Sequence, residues 1–131
     1  MKHEPQWVLR DTVLLLHEQS LAEHGGISGI RDEGLLDSAL GKPNNLFAYG
    51  EPVIFDLAAS YVYGLVKNHP FLDGNKRIGF VTGALFLALN GYQLIAAEAD
   101  AAIRTLALAA GEMTEKAYAA WLEANSQRLK K

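Results

Sequence analysis

Two stretches of helical length, Pro52 to about Asn68 and about Asp73 to Asn90, are apolar on nearly every face. The first carries Val53, Ile54, Phe55, Leu57, Ala58, Ala59, Tyr61, Val62, Leu65 and Val66, with Asp56 as its only interior acid. The second carries Ile78, Phe80, Val81, Leu85, Phe86, Leu87 and Leu89, and Gly91 stops it. A helix that is apolar all round is a buried one. Neither stretch has the roughly 20 consecutive apolar residues of a membrane span. The chain therefore has to wrap other helices around these two, which makes it an all-α fold.

The rest of the chain supplies the wrapping. A helix is expected over Pro5–His24, closed by Gly25-Gly26, with Val8, Leu9, Val13, Leu16, Leu21 and Ala22 at mostly helical spacing. Ile27–Arg31 reads as a turn, and Asp32 as the N-cap of a short helix buried through Leu35, Leu36, Ala39 and Leu40. Gly41-Lys42-Pro43-Asn44-Asn45 is expected to break that helix. The stretch 43–50 then reads as a loop or a small hairpin, between which periodicity does not decide. Amphipathic helices are expected over about Ala99–Ala110 and Thr114–Leu129, separated by Gly111. Glu98 and Asp100 read as capping the first of these, and Tyr118 and Trp121 as core. The total is about six helices in one domain over residues 1–131, the size of a typical single domain of roughly 100–150 residues.

Composition sets limits on function. There is no cysteine, so disulfides, thiolate metal sites and thiol nucleophiles are absent. With 12 Lys+Arg against 15 Asp+Glu, the net charge is −3. That balance argues against binding nucleic acid or an anionic membrane through bulk charge, and Arg128-Lys130-Lys131 is the only dense basic run. No secretory leader is legible, and a reducing, cytoplasmic setting is expected. His17 and His24 lie seven residues apart on one helix face, without a third ligand nearby in sequence to make a metal site.

The chemistry concentrates between the two buried helices, in His69-Pro70-Phe71-Leu72-Asp73-Gly74-Asn75-Lys76-Arg77. Ionisable groups this close to a core are costly unless paired, solvated or bound to a ligand. The fourth helix begins here, so its first N–H groups lack partners. Gly74 permits close approach to the backbone. Lys76 and Arg77 oppose the helix dipole, so their place is not explained by helix stability. A bound polyphosphate explains both facts. Asp73 offers a carboxylate suited to a Mg²⁺ that keeps most of its waters. His69 can accept a proton near neutral pH. Base, metal ligand and phosphate clamp are the parts of phosphoryl or nucleotidyl transfer.

This nine-residue run resembles the signature loop of the Fic/Doc superfamily, in the branch of the death-on-curing (Doc) toxins. His24-Gly25-Gly26-Ile27-Ser28-Gly29-Ile30-Arg31-Asp32, followed by Leu35-Leu36-Asp37-Ser38-Ala39-Leu40, is similar to the family's N-terminal segment. The resemblance spans roughly residues 5–125 and implies a compact Fic-fold helical domain. AMP-transferring Fic proteins have glycine where this chain has Lys76, and a second arginine where it has Phe80. Both departures are shared with Doc proteins.

For Doc toxins the implied reaction uses ATP and Mg²⁺ to phosphorylate a threonine of translation elongation factor Tu, which stops translation. By position, the resemblance makes His69 the general base and Asp73 the Mg²⁺ ligand. Gly74, Asn75, Lys76 and Arg77 fall in the phosphate cradle, with Lys67 as an added cation and Phe71 as the buried anchor of the loop. The 43–50 stretch resembles the flap that aligns the target segment, with Phe47 and Tyr49 lining it; simple packing of these two aromatics on the core remains the alternative. No stretch matches the inhibitory [Ser/Thr]-x-x-x-Glu-[Gly/Asn] helix of some Fic proteins, which implies inhibition in trans by a Phd-like antitoxin through its C-terminal helix. AMP transfer to a protein hydroxyl and a non-catalytic partner-binding module stand as alternatives.

Overall fold

The third helix of the chain, α3 (Ile54–Asn68), is the axis of the molecule; most of its side chains are buried, from Phe55 to Val66. The computed structural model describes residues 3–129. Around the axis stand α1 (Arg10–His24), α2 (Glu33–Tyr49), α4 (Asn75–Leu89), α5 (Glu98–Ala110) and α6 (Glu115–Ala124). Two short strands, β1 (Tyr92–Leu94) and β2 (Ser126–Arg128), pair antiparallel with Gln93 opposite Gln127. The architecture is all-α, as the two apolar segments require. The described residues share one hydrophobic core, which includes the buried Tyr118 and Trp121. No described helix is long and apolar enough to cross a membrane.

The two central helices approach closely because α4 presents glycines to α3. A Cβ on Gly83 would stand 2.5 Å from Val62 Cγ2, and one on Gly79 would stand 3.0 Å from Val66 Cγ1. Gly64 does the same for α2, where a Cβ would lie 3.1 Å from the Ala39 carbonyl.

Several boundaries differ from the sequence expectations. Residues 5–9 are not helical. They run extended over the core, with Val8 N–H donating to the Tyr61 hydroxyl (3.1 Å) and Gln6 paired with the Asn90 side chain. Burial raises the pKa of that Tyr61 hydroxyl, so it remains a neutral partner.

The larger correction concerns 43–50, which forms neither a loop nor a flap hairpin. α2 continues through Gly41 and Pro43 to Tyr49. Pro43 is buried on the same stripe as Leu36 and Ala39, facing α3. Its missing N–H leaves only one helical bond unmade, and burying the stripe outweighs that loss.

At the other end, α6 stops at Ala124 rather than running to Leu129. Asn125 Nδ2 donates to the Trp121 carbonyl and Ser126 Oγ to the Leu122 carbonyl. These bonds close the helix, and residues 126–128 turn into β2. Asp100 is not a cap of α5: its carboxylate accepts from Trp121 Nε1 (2.8 Å) and Arg104 Nε (3.1 Å), tying α5 to α6. Lys130 and Lys131 lie outside the described residues.

Candidate functional site

The connection from α3 to α4 is short, and every turn of it is held. His69 caps the C-terminus of α3 in the left-handed region, at φ 53° and ψ 52°. It is the only non-glycine with positive φ among the described residues. Phe71, 1% exposed, anchors the loop in the core. The Asn75 side chain closes on it from four residues away, with Oδ1 accepting from Phe71 N–H and Nδ2 donating to Phe71 O, both at 3.0 Å. Beneath the loop lies His17, 2% exposed, whose ring stacks on Phe71 at 3.8 Å between centroids. Its Nε2 lies 2.8 Å from the Asp73 carbonyl. A carbonyl only accepts, so this nitrogen carries the proton.

A strap from residues 26–32 holds the outer side. Leu72 N–H donates to Gly29 O, and the Pro70 carbonyl accepts from both Arg31 and Asp32 N–H. The Asp73 carboxylate accepts from Gly74 N–H (2.9 Å) and Ile27 N–H (3.2 Å), one on each oxygen. Gly26, at φ 127°, allows that approach. A Cβ there would stand 2.9 Å from Asp73 Oδ2 and 2.8 Å from Leu21 Cδ2. The glycine-rich 24–32 segment thus has a physical reason: it is the backbone that seats the loop.

α4 starts from Gly74, which is left-handed at φ 77°, a conformation glycine adopts without strain. The first bond back to the helix start is Ile78 N–H to Gly74 O (3.0 Å). The amides of Asn75, Lys76 and Arg77 precede it and are available to an anion. The Lys76 and Arg77 side chains are exposed and, among the described residues, form no ion pair. His69 and Asp73 are exposed as well. The loop thus brings together a proton acceptor, a carboxylate, two free cations and a helix N-terminus on one accessible edge. Each Asp73 oxygen keeps a lone pair beyond its amide bond. A single exposed hard-oxygen donor fits a Mg²⁺ that takes its other ligands from phosphate and water. Clefts of about 380 and 440 Å³ elsewhere on the molecule are lined by no residue of this loop.

Four expected site residues stand differently. The Asn75 side-chain amide is spent on Phe71, so it is not offered to a ligand. The Lys67 ammonium lies toward the C-terminus of α5, 3.4 Å from Ala109 O and over the Tyr63 ring. Phe47 and Tyr49 belong to the last turn of α2. Phe47 packs edge-on against Trp7 at 5.7 Å, and Tyr49 is 90% exposed. Sequence reasoning weighs His17 only as a metal ligand and Arg31 only as part of the family-like segment, and gives neither a role in the loop. His17 falls between Val13 and Leu21 on the buried stripe of α1, and a histidine in an apolar stripe was the available signal. Arg31 bonds the His69 and Asn68 carbonyls, which nothing in its local sequence announces.

Among proteins of known name, the chain is 29% identical over 110 residues to "Protein kinase doc" of Escherichia phage P1, covering 83% of this chain and 86% of that protein. It is 41% identical over 75 residues to "Toxin Doc" of Mycolicibacterium smegmatis, covering 55% of this chain and 57% of the other. A sequence model of the Fic/DOC family matches residues 7–87, a span that contains α1, the strap, α2, α3, the whole loop after it and α4 as far as Leu87. The chain belongs to the Fic/DOC family.

Proposed function

We propose that this protein is the toxin of a toxin–antitoxin pair, a kinase that transfers the γ-phosphoryl group of ATP to a threonine hydroxyl of elongation factor Tu. The observation that carries the reading is the exposed edge where His69, Asp73, Lys76 and Arg77 meet the free amides of α4. The acceptor oxygen attacks the γ-phosphorus while its proton passes to the His69 imidazole. The bond from γ-phosphorus to the bridging oxygen breaks, and ADP leaves. Lys76, Arg77 and the first amides of α4 carry the negative charge that develops on the phosphate oxygens. Asp73 would hold Mg²⁺, which when bound neutralises charge on the phosphates.

Phosphoryl rather than AMP transfer is supported by Phe80, which is partly buried against the core and offers no second guanidinium to the phosphates. Lys76 supports it too, because it crowds a position where AMP-transferring relatives have glycine. The name "Protein kinase doc" of one relative agrees. The name "Toxin Doc" of another supports a cognate, Phd-like antitoxin as partner.

Incubation with elongation factor Tu and ATP labelled at the α or γ position tests the reaction. Label is expected from γ alone and is lost in His69→Ala. Label from α would assign AMP transfer instead. Normal growth at confirmed high expression without the antitoxin would favour a non-catalytic module.

A further inference from the structure

His69 occupies a backbone conformation that its own sequence disfavours. A non-glycine residue held in the left-handed region costs on the order of 1–3 kcal/mol. The following Pro70 narrows its options further. Such a residue persists only where its surroundings fix it. The one local restraint is His69 N–H to Leu65 O, at 3.2 Å. The others come from the strap. Arg31 Nε donates to His69 O (2.8 Å) and Arg31 Nη2 to Asn68 O (2.9 Å). The Arg31 and Asp32 amides both donate to Pro70 O, at 2.7 and 3.1 Å. One residue thus binds three consecutive carbonyls, two by its guanidinium and one by its backbone. The last carbonyls of a helix lack intrahelical partners and favour a cation, so Arg31 completes α3 from outside.

We propose that Arg31 is a positioning residue for His69: it fixes the carbonyls of Asn68, His69 and Pro70 and thereby aims the imidazole. The inference rests on the reading of His69 as the base. The phosphate-facing half of the loop is held separately, by His17 on Asp73 O and by Asn75 on Phe71. Loss of the guanidinium therefore disturbs the base and spares the phosphate cradle. Arg31 is exposed, so its replacement leaves the core intact. Lysine offers one ammonium, not a planar fork, and cannot reproduce the two bonds together.

The test is steady-state transfer from Mg-ATP to elongation factor Tu by wild type, Arg31→Ala and Arg31→Lys. The kcat of Arg31→Ala is expected to fall by about 10–100-fold, the scale of a small misplacement of a reacting group. Its KM for ATP is expected to stay within about twofold, because the cradle is untouched. Arg31→Lys should fall between the two. An unchanged kcat with a lowered melting temperature would make Arg31 a helix cap only. A raised KM for elongation factor Tu at unchanged kcat would make it a substrate contact. Either result overturns the proposal.

A second arm does not need turnover. Imidazole NMR of Arg31→Ala should show His69 ring signals shifted or broadened while those of His17 stay in place. Unaltered His69 signals overturn the inference. An inactive wild type sinks the kinase reading alone and leaves this arm to decide.

Discussion

His17 and Asn75 are almost wholly buried, yet they hold the backbone that carries the exposed residues of the loop. Asn75 makes both of its bonds to one residue, Phe71, four positions earlier. Removing the amide leaves the Phe71 N–H and carbonyl unpartnered inside the core, a loss of about 1–3 kcal/mol. Asn75→Ala is therefore expected to unfold at lower urea by that amount, with nucleotide affinity falling as the loop loosens. Urea denaturation and calorimetry with Mg-ATP measure the two effects. Lys67 makes the opposite case. Its ammonium sits at the C-terminus of α5, so Lys67→Ala should leave the proposed phosphoryl transfer within about twofold of wild type, the scatter expected where no transition-state contact is lost. A larger loss in the γ-label assay would return Lys67 to the phosphate site. The chemistry of the loop was legible from residue types and spacing: imidazole, carboxylate and two cations at a helix start. The roles of Asn75 and Lys67 were not. A side chain that folds back on its own backbone leaves no periodic trace, and the direction of a long side chain depends on distant elements.

The two central helices were legible because burial on every face needs no knowledge of the partner. Their spacing was legible only in part. Gly79 and Gly83 lie four apart on α4 and nest α3, but sequence alone does not say whether a helical glycine is a packing device or a weak point. Gly83→Ala separates these. Helix propensity favours alanine by about 1 kcal/mol. Against that, the new methyl would stand 2.5 Å from Val62 Cγ2 and 3.3 Å from Ala58 O. Val62 is fully buried and β-branched, so it has little room to turn. Overpacking costs about 1–3 kcal/mol, and the balance is destabilising, to be read as a lower midpoint in thermal or urea unfolding. An increase in stability would mean that α3 and α4 can separate without cost. The same competition explains the misread stretch of α2. Local propensity places a break at Gly41-Lys42-Pro43, whereas the buried stripe Leu36, Ala39, Pro43 carries the helix through it. Strands of three residues such as β1 and β2 are too short for alternation to register.

At the scale of the whole molecule, the loop and the α5–α6 layer are separate problems for the chain, and pH can tell them apart. α5 and α6 are joined by Asp100 to Trp121 (2.8 Å) and by the buried pair Thr105 and Tyr118 (2.8 Å). Burial pushes the Tyr118 hydroxyl up to about 12, so that pair stays neutral across the usual range. Asp100 is the titrating member. The Trp121 indole N–H above all holds its carboxyl below the usual carboxylate range; desolvation opposes this, and Arg104 adds to the lowering. A carboxyl depressed in the folded state contributes stability that is full above its unfolded value, near pH 4, and is lost as pH falls through the folded value. The stability gap between wild type and Asp100→Ala should therefore be widest at neutral pH and shrink below about pH 4, as the wild-type carboxyl is protonated. Denaturation at a series of pH values reads the gap; a gap that stays constant into acid would mean that the carboxylate charge takes no part. None of these groups touches the loop between α3 and α4, so the stability loss at neutral pH should come without loss of the proposed γ-phosphoryl transfer at temperatures where both proteins are folded. A parallel loss of transfer would couple the outer layer to His69 through α3, which packs against α5 and α6 and ends at His69.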